Sequence, residues 1–250
     1  MTDENYSASW ENDEVRVDVP YSVAGVSTTV VVSSKFTGKY LLADVGDGVL
    51  RDLLALLGTD FVEEIDMVCI THGHFDHMGG LHSLLGFMRM LGRTSSLDIL
   101  VPAGCDEVLK MVKSFREVYR PTTKFGIRVQ EVRDGVGFDS DFFKINVHDV
   151  EHFGLENPDP AKDLLMPAVG YKIQVGETVI AFTGDTRISE GAQNLVLAAD
   201  LAIIEATRNV APLAGHRVHL TEEEAKELGS LAKDYILIHR MHEAAKISVD

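Results

Sequence analysis

The sequence is poor in the residues that form disulfides and in the patterns that anchor a chain to a membrane. Its 250 residues include only two cysteines, Cys69 and Cys105, which excludes a disulfide framework. No apolar stretch approaches the ~20 residues that a membrane span needs. The N-terminus also lacks the charged-then-apolar pattern of a signal peptide. We therefore expect a cytoplasmic protein without a membrane partner.

Basic residues are scarce relative to acidic ones. Lys and Arg total 23 against 39 Asp and Glu, which gives a formal net charge of −16. This balance repels phosphate backbones at long range and disfavours generic nucleic-acid binding. A phosphate-bearing substrate stays open, because divalent cations bound in a cleft would reverse the sign of the local field.

The pattern of apolar runs predicts an α/β fold. With 45% hydrophobic residues the chain can bury a full core, and we predict one domain over residues 1–250 with a flexible acidic N-terminus over residues 1–14. Runs typical of buried strands each end in a polar residue that can take part in chemistry. These runs are 40–44, 67–71, 179–183, 201–205 and 235–239. Helical patterns cover 48–57, 78–91, 105–119 and 221–233, and the loop 153–167 is long enough to cover a site.

The stretch with the strongest chemical signal is residues 71–80, Thr-His-Gly-His-Phe-Asp-His-Met-Gly-Gly. It places three imidazoles and a carboxylate within six positions, directly after a predicted buried strand. In a turn that leads into a helix, His72 and His74 can converge on one ion while Asp76 and His77 converge on a second. The alternative is a solvated, histidine-rich turn, but the spacing and the strand-to-helix context favour the metal site.

This stretch resembles the His-x-His-x-Asp-His signature of the metallo-β-lactamase superfamily, and the resemblance extends over most of the chain. It implies a four-layer αββα sandwich and two divalent metal ions. The donor set without cysteine suits zinc, with manganese or iron as alternatives. The metal ligands that the resemblance implies are His72, His74, Asp76, His77, His152, Asp185 and His239, with Asp185 bridging the two ions. Asp44 falls where the family keeps an acid that orients a ligand histidine.

One ligand position has two candidates. His148 and His152 both follow a strand predicted over residues 142–147. The family pattern places the ligand before a loop that returns through residues 170–173, which favours His152.

Within the superfamily the chain most resembles the ribonuclease Z group, the tRNA 3′-end endonucleases and their phosphodiesterase relatives. The likeness is carried by residues 88–104, by Glu205-Ala-Thr207 and by His219. In that group a Glu and a later His form a dyad beside the metals, and Glu205 and His219 occupy the matching positions.

Two departures from ribonuclease Z predict poor tRNA processing. The Gly-Thr-rich opening of that group is replaced here by residues 21–28. The interval from His152 to Asp185 is too short to contain the projecting arm that grips tRNA.

These observations together predict a hydrolase, with Asp76, Glu205 and His219 as catalytic residues. Two ions about 4 Å apart, joined by Asp185 and a hydroxide, offer a nucleophile because metal binding lowers the pKa of water from ~16 to roughly 7. His219, held by Glu205, can then protonate the leaving oxygen.

We predict a phosphodiesterase for small or short single-stranded substrates, assembled as a homodimer as many relatives are. One alternative is hydrolysis of a lactone, thioester or sulfate ester by the same metals, because the fold alone does not choose the substrate. The other is a metal-bearing binding protein without turnover, which is disfavoured because no ligand position is lost.

Overall fold

Two β-sheets form the centre of the molecule, and the computed structural model describes residues 6–154, 164–208 and 218–242. The first sheet contains β1 (Ala8–Glu11), β2 (Val15–Val23), β3 (Ser27–Ser34), β4 (Tyr40–Val45), β5 (Ile65–Cys69), β6 (Leu97–Pro102) and β7 (Ile127–Val132). The second contains β8 (Gly137–Asp139), β9 (Lys144–Asp149), β10 (Val169–Val175), β11 (Thr178–Phe182), β12 (Leu201–Glu205) and β13 (Tyr235–Ile238).

Both sheets follow the same plan. In each, neighbouring strands follow chain order, first as an antiparallel meander and then as parallel strands joined by helical crossovers. The parallel part comprises β4 to β7 in the first sheet and β11 to β13 in the second. Carboxyl ends of parallel strands open on the same edge of a sheet, which is where α/β folds assemble their sites.

Helices cover the outer face of each sheet. Those of the first half are α1 (Val49–Leu57), α2 (Phe61–Glu64), α3 (Phe75–Met78), α4 (Leu81–Met90) and α5 (Asp106–Tyr119). Those of the second half are α6 (Glu190–Val196) and α7 (Glu222–Gly229). Alternation along β4 shows how the layers are built: Leu41 and Ala43 pack into the core between the sheets, whereas Leu42 packs against the helices. The predicted αββα sandwich is confirmed.

The predicted N-terminal segment and two predicted helices differ from the structure. Residues 8–11 form β1 rather than a flexible terminus, because Ala8 and Trp10 pack against the inter-sheet core. The helix predicted over 78–91 is broken between α3 and α4, where a Cβ on Gly80 would lie 2.3 Å from the carbonyl oxygen of Gly46. The helix predicted over 221–233 ends at Gly229. Within the described residues no helix is long and apolar enough to cross a bilayer.

Candidate active site

The histidine-rich turn follows β5 and is attached to both sheets. The carbonyl of Thr71 accepts a hydrogen bond from Val169 N at 2.9 Å, and His72 pairs with Ala168 in an isolated bridge. The chain is still extended at His74, which caps α3, and becomes helical at the next residue. Because of this change of conformation, the His72 and His74 side chains lie in one cluster of ligand atoms and the Asp76 and His77 side chains lie in another.

The first cluster contains His72, His74, His152 and Asp185, whose ligand atoms all lie within 4.8 Å of one another. Nδ1 of His74 lies 3.0 Å from Nε2 of His72 and 3.2 Å from Nε2 of His152. Burial lowers the pKa of His72 well below its usual value and that of His152 to about 3. Both rings are therefore neutral, which is the form that binds a metal ion.

The second cluster contains Asp76, His77 and His239. Nε2 of His239 lies 3.3 Å from Nε2 of His77 and 3.2 Å from Oδ2 of Asp76. Asp185 lies between the two clusters. Its Oδ1 is 3.3 Å from Nε2 of His77 and 3.3 Å from Nδ1 of His239, both in the second cluster. Its Oδ2 is 3.7 Å from Nε2 of His72 in the first cluster. The side chains predicted as ligands thus come together in two adjoining groups.

The chemistry of these groups fits a pair of divalent cations. Oδ1 of Asp185 is buried but makes no hydrogen bond among the described residues. An unsatisfied buried carboxylate oxygen is costly, and a cation bound beside it would remove that cost. Imidazole nitrogens with carboxylate oxygens, and no thiolate, are ligands typical of zinc, manganese and iron sites.

Asp44 holds one histidine of each cluster. This buried residue is the next-to-last of β4, and its Oδ2 accepts hydrogen bonds from His77 Nδ1 at 2.7 Å and from Thr71 Oγ1 at 2.8 Å. Thr71 Oγ1 also lies 3.0 Å from Nδ1 of His72. Because the single hydroxyl proton goes to Asp44, His72 donates its Nδ1 proton to Thr71. The Nε2 atoms of both histidines are therefore directed at the clusters.

Glu205 holds two histidines in the second half of the chain, as Asp44 does in the first. It ends β12, and its Oε1 accepts hydrogen bonds from Thr186 N at 2.8 Å and from His219 Nδ1 at 3.0 Å. Its Oε2 accepts a hydrogen bond from Thr207 Oγ1 at 2.6 Å. The same Thr207 hydroxyl oxygen lies 2.8 Å from Nδ1 of His239. Burial lowers the pKa of His219, but Glu205 and a neighbouring aspartate outweigh it and raise that pKa to about 9.

The structure separates the two candidates for the third ligand of the first cluster. His148 lies within β9, where it pairs with Gly170 and takes no part in either cluster. His152 follows the end of β9, is fully buried and belongs to the first cluster. The central part of the predicted covering loop, residues 155–163, lies outside the described residues.

Thr71, Thr186 and Thr207 take part in the site, although no role for their side chains or backbone was predicted from the sequence. Each stands within two positions of a residue whose role was predicted, at the end of an apolar run. A hydroxyl beside a predicted ligand histidine or a strand-end acid was the available signal.

Comparison with known proteins identifies the family to which this chain belongs. A family model described as a beta-lactamase superfamily domain matches residues 41–239. The chain belongs to this superfamily. The ribonuclease Z of Bacillus velezensis is 30% identical over 240 residues, which cover 79% of this chain and 76% of the relative. The ribonuclease Z of Bacillus subtilis is 29% identical over 244 residues, with coverages of 79% and 76%.

Solved structures of the superfamily share the fold. The short form of human tRNase Z, ELAC1, has a TM-score of 0.72 at 22% identity, over 92% of this chain and 93% of that chain. Zinc-bound PqqB from Methylobacterium extorquens has a TM-score of 0.68 at 15% identity, over 90% of this chain and 89% of that chain. The resemblance predicted from residues 71–80 is confirmed: the chain is a ribonuclease Z-like member of the superfamily and a metal-dependent hydrolase.

Proposed function

We propose that the chain is a phosphodiesterase that hydrolyses small or short single-stranded phosphodiesters and uses two zinc ions. His72, His74 and His152 would hold the first ion, Asp76, His77 and His239 would hold the second, and Asp185 would touch both. When bound, the metal pair supplies an activated water at neutral pH and positive charge beside the scissile phosphate. The remaining chemistry belongs to side chains of the cleft.

The observation that carries the proposal is the contact between His219 and Glu205. Nδ1 of His219 donates to the buried carboxylate of Glu205, which fixes the orientation of the ring and leaves Nε2 for a substrate. The His219 side chain keeps 19% of its surface exposed, whereas Glu205 is enclosed. With its pKa raised to about 9, His219 holds a proton at neutral pH. A positioned imidazolium is the group needed to protonate a leaving alkoxide.

The size and charge of the chain support a small substrate. The net charge of −16 disfavours the binding of a folded RNA through its phosphate backbone. The sequence interval between His152 and Asp185 is also short relative to that of an arm-bearing ribonuclease Z. We therefore propose that tRNA is a poor substrate. The free, buried thiols of Cys69 and Cys105 support a reducing, cytoplasmic setting.

Leaving-group dependence in a His219→Ala variant tests the proposal. Cleavage of an alkyl or nucleoside diester should slow by ~10²–10⁴-fold, the usual contribution of general acid catalysis. Cleavage of a nitrophenyl diester should slow much less, because nitrophenolate leaves without a proton. The metal content should match that of the unaltered protein. His148→Ala is the matched control, since it removes an imidazole outside both clusters.

Two results would contradict the proposal. Equal losses on alkyl and aryl diesters, with metals intact, would mean that His219 binds substrate or supports structure instead of donating a proton. A panel of lactones, thioesters and sulfate esters, assayed with the unaltered metal-loaded protein, provides the second check. An activity on one of those esters far above that on diesters would reassign the substrate class.

A further inference from the structure

The turn between β2 and β3 lies beside the second cluster. We call residues 22–26 the β2–β3 turn. Val23 pairs with Ser27, and Val26 N donates to Val23 O at 3.0 Å to close the loop. Gly25 adopts a φ of 69°, a left-handed conformation that a β-branched residue rarely accepts. This turn falls within the segment that replaces the Gly-Thr-rich opening of ribonuclease Z.

The turn contacts two residues that reach the second cluster from different sheets. The backbone N–H of Gly25 donates to Oδ2 of Asp76 at 2.7 Å. Oγ of Ser22 accepts a hydrogen bond from the backbone N–H of His239 at 2.9 Å. A further backbone contact, from Ala24 N to the carbonyl of the residue after His239, measures 3.1 Å. One short hairpin therefore holds both a carboxylate of the first sheet and a histidine of the second.

The contact at Ser22 matters because of the backbone of His239. This residue has a φ of 55°, which is uncommon for a side chain larger than glycine. A strained conformation of this kind persists only when the surroundings fix it. Ser22 Oγ accepts the N–H of His239, and Thr207 Oγ1 lies 2.8 Å from both the Nδ1 and the carbonyl oxygen of His239. Loss of the serine oxygen leaves a buried N–H without its partner.

We infer that the β2–β3 turn positions Asp76 and His239 for the second metal ion, through the hydroxyl of Ser22 and the N–H of Gly25. Ser22 and Gly25 are positioning residues and touch neither metal nor substrate. The inference rests on the proposed metal pair. It assigns a role to the segment by which the chain departs from ribonuclease Z.

Metal titration of a Ser22→Ala variant tests this role. The cobalt-loaded protein is titrated with a competing chelator, and the visible absorption of cobalt reports release of each ion. One of the two equivalents should bind ~10–100-fold more weakly, the usual effect of losing a partner behind a metal ligand. The other equivalent should be unchanged, and Ser22→Thr, which keeps the hydroxyl, should restore the weakened site.

Ser27→Ala is the matched control. Ser27 lies in the same hairpin, is equally buried and makes no hydrogen bond through its Oγ within the described part of the chain. If Ser22→Ala and Ser27→Ala release cobalt alike, the inference is wrong. If the unaltered protein does not bind two ions, the proposed metal pair fails instead, so the two failures are distinguishable.

A second pair of variants tests the backbone contact without touching a side chain of the site. No heavy atom lies within 4 Å of the place that a Cβ on Gly25 would occupy. Gly25→Asn and Gly25→Val thus differ mainly in tolerance of the left-handed conformation, which asparagine accepts and valine does not. Gly25→Val should weaken the same equivalent as Ser22→Ala, whereas Gly25→Asn should not. Equal affinities in these two variants would contradict the role of Gly25.

Discussion

The two halves of the molecule orient their histidines with the same device. Asp44, the next-to-last residue of β4, holds one histidine directly and another through the hydroxyl of Thr71. Glu205 ends β12 and does the same through the hydroxyl of Thr207. In both halves the acid lies near the carboxyl end of one parallel strand, and a histidine that it holds through threonine follows the adjacent strand.

The halves differ in what the acid holds directly. His77, on Asp44, is fully buried and faces the second cluster. His219, on Glu205, keeps 19% of its side chain exposed. The first network therefore only orients cluster residues, whereas the second also fixes a group that a substrate can reach. On the proposed function, one hydrogen-bonding arrangement would serve metal binding in one half and proton transfer in the other.

Replacing each acid by its amide should separate these roles, with the larger effect in the first half. Asp44→Asn brings an amide N–H₂ against donors from Thr71 and His77 in a fully buried site. We expect ~10–100-fold weaker metal binding and a loss of about 3–5 kcal/mol in the free energy of unfolding. Glu205→Gln should keep both ions and mainly slow cleavage of alkyl diesters. Metal analysis and thermal denaturation measure the difference; equal metal loss in both variants would show that the networks are equivalent.

Removal of the threonine hydroxyls should sharpen the comparison with a smaller effect. Thr71→Val disconnects His72 from Asp44, and Thr207→Val disconnects His239 from Glu205, with little change of shape. The first variant should weaken one metal equivalent and the second the other, each by roughly tenfold. Stepwise chelation monitors both. Thr29→Val is the control, since the buried hydroxyl of Thr29 makes no hydrogen bond in the described chain. If Thr71→Val and Thr207→Val weaken the same metal equivalent, the assignment of one threonine to each cluster is wrong.

The smallest effect is expected at the helix that follows His219. Thr221 and Glu224 form a complete capping box at the start of α7, whereas α1 in the first half begins after Gly48 without a side-chain cap. Thr221→Ala should lower the free energy of unfolding by about 1 kcal/mol. Metal content and aryl diester cleavage should not change, because the cap makes no contact with either cluster. Denaturant unfolding checks the first statement, and loss of an ion would show that the cap supports the site directly.

The sequence predicted the parts of the site that depend on local pattern. Residues 71–80 supply four cluster residues within one turn, and strand-end positions mark Asp185, Glu205 and His239. The choice of His152 over His148 needed the family pattern, because both follow the same apolar run. Fold class was predictable for the same reason, since parallel strands buried on both faces are continuous apolar runs.

The remaining features depend on contacts between distant segments. Ser22 and His239 are separated by 217 positions, and no local pattern in the turn indicates that its serine meets that backbone. At the break between α3 and α4 the N–H of Gly80 donates to the carbonyl oxygen of Val45 at 2.9 Å, outside the helix, while the helical periodicity of the sequence continues on both sides. The strand at residues 8–11 needed a partner, β2, to bury Trp10.

The placement of the clusters between the sheets has a thermodynamic consequence. His72, His74, Asp76 and His77 extend from the first sheet, whereas His152, Asp185 and His239 extend from the second. An ion held by both sets is a bridge that exists only while the sheets are packed together. A ligand that binds only the folded chain stabilises it by about 2.7 kcal/mol per site at a hundredfold excess over its Kd. Metal supply would thus set the thermodynamic stability of the folded protein as well as its activity.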